Sequence, residues 1–74
     1  MTDIAVITIH IHPDLPSVDR ERLEQEVSIF DGVTLARFNH KVKHWLSVVY
    51  DSDSITAWKI LNRVKQWDKH AVFF

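Results

Sequence analysis

Val6-Ile7-Thr8-Ile9-His10-Ile11-His12 is the run of residues from which the fold can be predicted. Isoleucines alternate with polar side chains, and this period of two is typical of a strand with one buried and one open face. The strand is predicted from about Ile4 to His12, because Pro13 cannot donate a hydrogen bond to a sheet. His10 and His12 are therefore expected to point to the same side, near the C-terminal end of the strand.

A helix is predicted after this strand. Ser17 is a suitable N-cap, and Leu23, Val27 and Phe30 follow at helical spacing. Gly32, the only glycine of the chain, is expected at the C′ position that ends the helix.

The second half of the sequence predicts a hairpin, a second helix and a last strand. The predicted segments are a strand at 33–38, a polar connection at 39–43, a strand at 45–50, a turn at 51–54, a helix ending near 67 and a strand at 70–74. Val33, Ala36 and Phe38 are expected to face inward, although their spacing does not alternate strictly.

The order β-α-β-β-α-β predicts an α+β protein with a ferredoxin-like sandwich. Each βαβ unit is expected to cross over in the right-handed sense, which gives a four-stranded antiparallel sheet with two helices on one face. A chain of 74 residues has room for one domain, which we expect to span residues 1–74.

Composition excludes several classes of function. Nine basic and ten acidic side chains give a net charge of −1, which argues against nucleic-acid binding. There is no cysteine, so disulfides and thiolate metal ligands are impossible. The chain start lacks the regions of a signal peptide and no apolar run approaches ~20 residues, so we expect a cytoplasmic protein without membrane insertion.

The apolar spacing from Leu23 onward resembles a known family. The pattern Leu-x3-Val-x2-Phe-Asp-Gly-Val at 23–33, the strand end at 48–51 and the helix start at Ser54 are similar to the heavy-metal-associated domain. That family contains small copper chaperones and the N-terminal modules of metal-pumping ATPases. The resemblance implies a ferredoxin-like fold, metal binding, and a metal-transport ATPase or another metalloprotein as a partner.

The chain departs from this family at its metal-binding loop. The two cysteine positions of the family motif fall at Pro16 and Asp19, and the methionine position falls at Asp14. No soft ligand remains, so the family's linear Cu(I) binding is excluded. Lys69 stands in the loop before the last strand, where family members carry a lysine or an aromatic residue.

Five histidines are expected at one edge of the sandwich. His10 and His12 end the first strand, His40 and His44 flank the hairpin, and His70 opens the last strand. In a strand, the Cα atoms of the two histidines of a His-x-His pattern lie about 6.6 Å apart, so both imidazoles can reach one ion. We predict a site for Cu(II), Zn, Ni or Co formed by His10, His12, His40 and His44, with His70 as a less certain member.

Alternatives to this metal site stay open. The histidines could be ordinary polar residues at strand ends, and His44 shares the inward parity of Leu46, so that a bulge near His44 would be needed to bring it beside His12. The sequence has no nucleophile signature, glycine-rich phosphate loop or paired carboxylates, so we expect that the protein is not an enzyme.

The open face of the sheet suggests a second function. Its predicted residues are Val6, Thr8, His10, His12, Trp45, Ser47, Val49, Val72 and Phe74. This face is apolar for so small a domain and could form a homodimer or dock on another protein with Trp45 as an anchor. Alternatively, the ring of Trp45 lies flat and shields its own sheet. The two hypotheses are a histidine-based metal-binding domain and a metal-free interaction module.

Overall fold

Four strands and two helices follow one another in the predicted order. The computed structural model describes residues 3–12 and 15–73. The elements are β1 (Ile4–His10), α1 (Ser17–Ser28), β2 (Val33–Phe38), β3 (Trp45–Asp51), α2 (Ala57–Lys65) and β4 (Val72–Phe73). Neither helix of this part of the chain is long and apolar enough to cross a membrane.

The sheet is antiparallel throughout, with the strand order β2-β3-β1-β4. β1 pairs with β3 along its whole length, from Ile4 opposite Asp51 to His10 opposite Trp45. The two helices cover one face, and the core lies between them and the sheet. Its buried apolar residues are Ile9, Ile11, Leu23, Val27, Ala36, Leu46, Val48, Tyr50, Ile55, Ile60, Leu61, Val64 and Ala71. The predicted ferredoxin-like architecture is confirmed.

A register shift in β2 explains its imperfect alternation. Val33 pairs with Tyr50, whereas Leu35 pairs with the next residue back, Val49, and the ladder is irregular between the two. The extra residue shifts the alternation of inward and outward side chains by one position. Val33 and Ala36 therefore both face the core, although they are three positions apart.

The start of α1 differs from the prediction. Pro16 is the N-cap and has extended backbone angles, φ −59° and ψ 151°, while Ser17 is already the first helical residue. No side chain of residues 3–12 or 15–73 caps this end. The carbonyl of Pro16 accepts a hydrogen bond from the N–H of Arg20 at 3.0 Å, so the helix begins without the serine cap that the sequence favours.

The end of α1 also differs, because Gly32 is not its C′ residue. The helix ends at Ser28 with Ile29 as C-cap. Gly32 lies in a later turn, closed by a hydrogen bond from the N–H of Val33 to the carbonyl of Phe30 at 3.0 Å. Its φ of +94° suits the third position of a type II turn, where glycine is preferred.

The second helix is shorter than predicted. Its N-cap is Thr56, whose side chain accepts a hydrogen bond from the N–H of Lys59 at 3.2 Å, and Ile55 is buried just before the helix. The helix ends at Lys65. The N–H of Trp67 then bonds to the carbonyl of Val64 at 2.9 Å, a tighter turn that closes the helix.

Candidate metal-binding site

β1 ends at His10, two residues before the predicted end at His12. Ile11 is 2% exposed, and its N–H donates to the carbonyl of His44 at 2.8 Å. The N–H of His12 donates instead to Oδ2 of Asp68 at 2.5 Å. His12 therefore lies beyond the strand, and the predicted strand end at His12 is wrong. Pro13, on which the predicted strand end rested, lies outside the described residues.

Asp68 accepts hydrogen bonds from two segments that are far apart in the sequence. It is 8% exposed, and its Oδ1 accepts a hydrogen bond from the N–H of His70 at 3.0 Å. Its carbonyl accepts a further hydrogen bond from the N–H of Ala71 at 3.0 Å. One buried carboxylate thus fixes the backbones of His12 and His70 at the same edge of the sheet.

Sequence reasoning missed Asp68, although a signal was present. Asp68 follows the C-terminal end of α2, where the helix dipole disfavours a carboxylate. An acidic residue at that position calls for another stabilising contact, and the two backbone N–H groups supply it.

His12 and His70 form the first histidine pair. Their ring centroids lie 6.1 Å apart, with the planes inclined at 46°, and both residues are exposed. Imidazoles that share one ion have centroids roughly 5 to 6.5 Å apart, because each metal–nitrogen bond is about 2.0–2.1 Å. The separation of this pair is therefore compatible with one shared ion.

His10 and His44 form the second pair, together with Trp45. The His10 and His44 centroids lie 5.7 Å apart. His10 stacks on Trp45 with centroids at 5.3 Å and an interplanar angle of 17°, and His44 approaches the same indole edge-on at 6.3 Å. His44 lies in the turn before β3, so strand parity does not apply to it, and its ring contacts His10.

His40 does not join either pair. It is exposed on the β2–β3 hairpin, where Oδ1 of Asn39 accepts hydrogen bonds from the N–H groups of Lys41 at 2.7 Å and Val42 at 2.9 Å. His40 lines a shallow cleft with Arg20 and other polar residues. Among the described residues, no ring contact joins it to another histidine.

Four of the five histidines are thus arranged as two pairs. Within residues 3–12 and 15–73, no three His, Asp or Glu side chains are grouped so that they could hold a metal ion together. His10 and His12, expected to act as a pair, are each placed beside a different histidine.

The donor set of the β1–α1 loop does not suit a soft ion. Pro16 has no donor atom in its side chain, and Asp19 offers only carboxylate oxygen in the first turn of α1. Asp14, at the family's methionine position, lies outside the described residues. Lys69 is exposed in the turn before β4. Imidazole and carboxylate groups fit a borderline divalent ion instead.

The open face carries the residues predicted for it on the strands, as far as the structure describes them. Val6 pairs with Val49, Thr8 with Ser47 and His10 with Trp45, so these cross-strand pairs share one face. Val72 lies opposite His10 on β4. Trp45 is half-buried and stacks on His10. Phe74 lies outside the described residues.

The fold is shared with three solved proteins. MerP from Ralstonia metallidurans CH34, in its oxidized form, superimposes with a TM-score of 0.81 at 11% identity over 96% of this chain and 97% of MerP. A proposed copper-ion-binding protein from Bacillus anthracis str. Ames gives 0.79 at 14% identity over 100% of both chains. The copper form of a single-residue variant of CopA from Bacillus subtilis gives 0.74 at 20% identity, over 96% of this chain and 92% of that one.

No protein-family model matches the sequence, and a search of curated proteins gives no match. At sequence identities of 20% or less, the structural similarity shows only that this chain shares the fold of these proteins. It is the ferredoxin-like fold that the resemblance to the heavy-metal-associated domain implies.

Proposed function

We propose that this protein is a small metal-handling domain of the heavy-metal-associated type, in which imidazoles replace the thiolates of the family motif. His12 and His70 are the ligands that we assign to the transported ion. The fold shared with a proposed copper-ion-binding protein and with the copper form of CopA supports metal handling as the class of function.

The observation that carries this proposal is the double hydrogen bond to Asp68. Its carboxylate holds the backbones of His12 and His70 at the same edge through their N–H groups, and their imidazoles lie 6.1 Å apart. Because the backbones are already held, only the side-chain rotamers of the two histidines remain to be ordered when an ion binds. The two histidines are therefore preorganised, although they are far apart in the sequence.

The proposed ion is a divalent transition metal, with Cu(II), Zn, Ni and Co as the candidates. Imidazole is a ligand for all four, and none requires a thiolate. Two protein ligands leave further positions open to water or to a partner. Such an ion can be passed on, which suits delivery in the cytoplasm to a metal-transport ATPase or another metalloprotein. We propose no catalytic role for the domain.

A metal titration followed by NMR tests the proposal. Zn(II) or Ni(II) is added to the apo-protein while the imidazole signals of all five histidines are observed. We expect the signals of His12 and His70 to shift together at micromolar metal. In the His70→Ala variant this joint shift should disappear, whereas His40→Ala, which alters an exposed histidine outside both pairs, should leave it intact. If neither His12 nor His70 responds, the metal site at this edge is refuted.

A second candidate function is protein interaction through the open face without any metal. Its supporting observation is the exposure of large apolar side chains on this face, with Val6 at 64% and Val72 at 52%. A patch of this kind often marks an interaction site. Sedimentation in the presence of a chelator tests this function, since a metal-free interaction module that pairs with itself should sediment as a homodimer under these conditions.

A further inference from the structure

We propose that His10 and His44 form half of a second metal site, and that a second copy of this chain, packed open face against open face, supplies the other half. The product is a dimer bridged by one divalent ion. This site uses a different histidine pair from the proposed cargo site and does not depend on it.

The open face has the composition of an interface. Four of its side chains, Ile4 at 57%, Val6 at 64%, Leu35 at 44% and Val72 at 52%, are exposed. Along the two central strands, Thr8 and Ser47 lie opposite each other between the Val6–Val49 pair and the His10–Trp45 pair. A second copy would remove this apolar surface from water, which is favourable in proportion to the area covered.

The position of the pair fits two-fold symmetry. β3 and β1 are the two central strands of the sheet, and His10 lies opposite Trp45 at one end of them. A two-fold axis can run parallel to the strands, midway between the two sheets and above the space between β1 and β3. Rotation about this axis superimposes the whole of one open face on the other. The same axis brings the His10–His44 pair of one copy over the pair of the other, which makes the interface isologous.

The distance between packed sheets also fits a bridging ion. Sheets pack about 10 Å apart, so an ion at the midpoint lies about 5 Å from each backbone plane. An imidazole nitrogen near the base of the ring, extended by a bond of about 2 Å, spans that distance. Nε2 of His10 is buried within the protomer, so we assign Nδ1 as its ligand atom.

The size of the face makes the ion necessary for a stable dimer. Four strands, none longer than the seven residues of β1 and β3, at about 3.3 Å per residue and about 4.8 Å between strands, give a face of at most about 440 Å². Stable interfaces cover about 800 Å² on each partner. The apolar face alone therefore gives weak self-association, and a bridging ion adds the missing stabilisation.

The ligand count is consistent with this arrangement. Two imidazoles from each copy give four nitrogen ligands, the number that Zn(II) takes in tetrahedral sites. Within one copy, the described residues provide no third His, Asp or Glu beside the pair. The proposed set of four imidazoles is complete only in the dimer.

Sedimentation velocity of the full chain with a chelator and then with Zn(II) tests the inference. We expect zinc to lower the dissociation constant of the dimer by about a hundredfold or more, because the bridging ion binds only the dimer. One zinc ion per two chains should be bound at this site. His44→Ala should abolish the effect of zinc while preserving the fold, since only the backbone carbonyl of His44 bonds to Ile11.

Two matched pairs of variants make the test specific. His70→Ala removes the proposed cargo site and should leave the zinc-dependent dimer intact, so the two proposals can fail separately. Val6→Glu places a charge on the open face and should prevent dimerisation. Val18→Glu is its control, because Val18 is 55% exposed on α1. A His70→Ala chain whose dimerisation is not strengthened by Zn(II), or a zinc-dependent dimer that persists in His44→Ala, would overturn the inference.

Discussion

The N–H of His12 donates a hydrogen bond of 2.5 Å to the carboxylate of Asp68, a residue 56 positions further along the chain. The same carboxylate accepts a hydrogen bond of 3.0 Å from the N–H of His70. The contact therefore joins the end of β1 to the segment before β4, and it lies where the carboxylate is nearly excluded from water. Hydrogen bonds to an ionised group in such a place are among the stronger ones in a protein.

Replacing Asp68 by alanine is expected to destabilise the fold. The substitution leaves two backbone N–H groups without their acceptor, and we expect the free energy of unfolding to fall by about 2 to 4 kcal/mol. Asp68→Asn keeps one acceptor oxygen and should lose about half as much. Urea denaturation measures both, with the exposed Asp53→Ala as control. Equal stability of Asp68→Ala and Asp53→Ala would contradict a structural role for the carboxylate.

Glu26 links the two helices, which predicts a measurable coupling. Its Oε2 accepts the indole N–H of Trp67 at 2.8 Å, and its Oε1 pairs with the guanidinium of Arg63. We expect Glu26→Ala to cost about 1 to 2 kcal/mol of unfolding free energy, since the pair is partly exposed and solvent weakens it. The emission of Trp67 should also change. Glu21→Ala, an exposed acid on the same helix, should have little effect on either measurement.

Gly32 is expected to tolerate no side chain. A Cβ at this position would lie 2.9 Å from Cγ2 of Ile55 and 3.0 Å from Cβ of Ser54, and φ is +94°. Both effects oppose alanine, so Gly32→Ala should lower the free energy of unfolding by about 1 to 3 kcal/mol. Thermal denaturation of Gly32→Ala beside the exposed Gln25→Ala checks this. A variant as stable as the wild type would show that the turn can rearrange.

The architecture could be predicted from the sequence because its signals are local. Alternating isoleucines define β1, and the spacing of Leu23 and Val27 defines the buried side of α1. These patterns follow from the geometry of single elements, which the rest of the chain does not alter.

The histidine arrangement could not be predicted in the same way, because it depends on contacts between distant residues. The pattern of alternation continues to His12, but the strand stops earlier since Asp68 accepts the N–H of His12. His44 lies outside the strand whose parity it was assigned. Periodicity carries no information about either change. The predicted metal site therefore paired His10 with His12 and included His70 only as an uncertain ligand.

Trp45 should report on an ion bound to His10 and His44. Its ring lies 5.3 Å from that of His10 and 6.3 Å from that of His44, and Cu(II) quenches indole emission at such short range. We expect Cu(II) to quench wild-type fluorescence more strongly than that of Trp45→Phe, whose emission comes from Trp58 and Trp67. Zn(II), which does not quench, should compete with Cu(II). His44→Ala should behave as Trp45→Phe does, because the indole remains but the ion beside it is lost. Equal quenching in all three proteins would place the copper elsewhere.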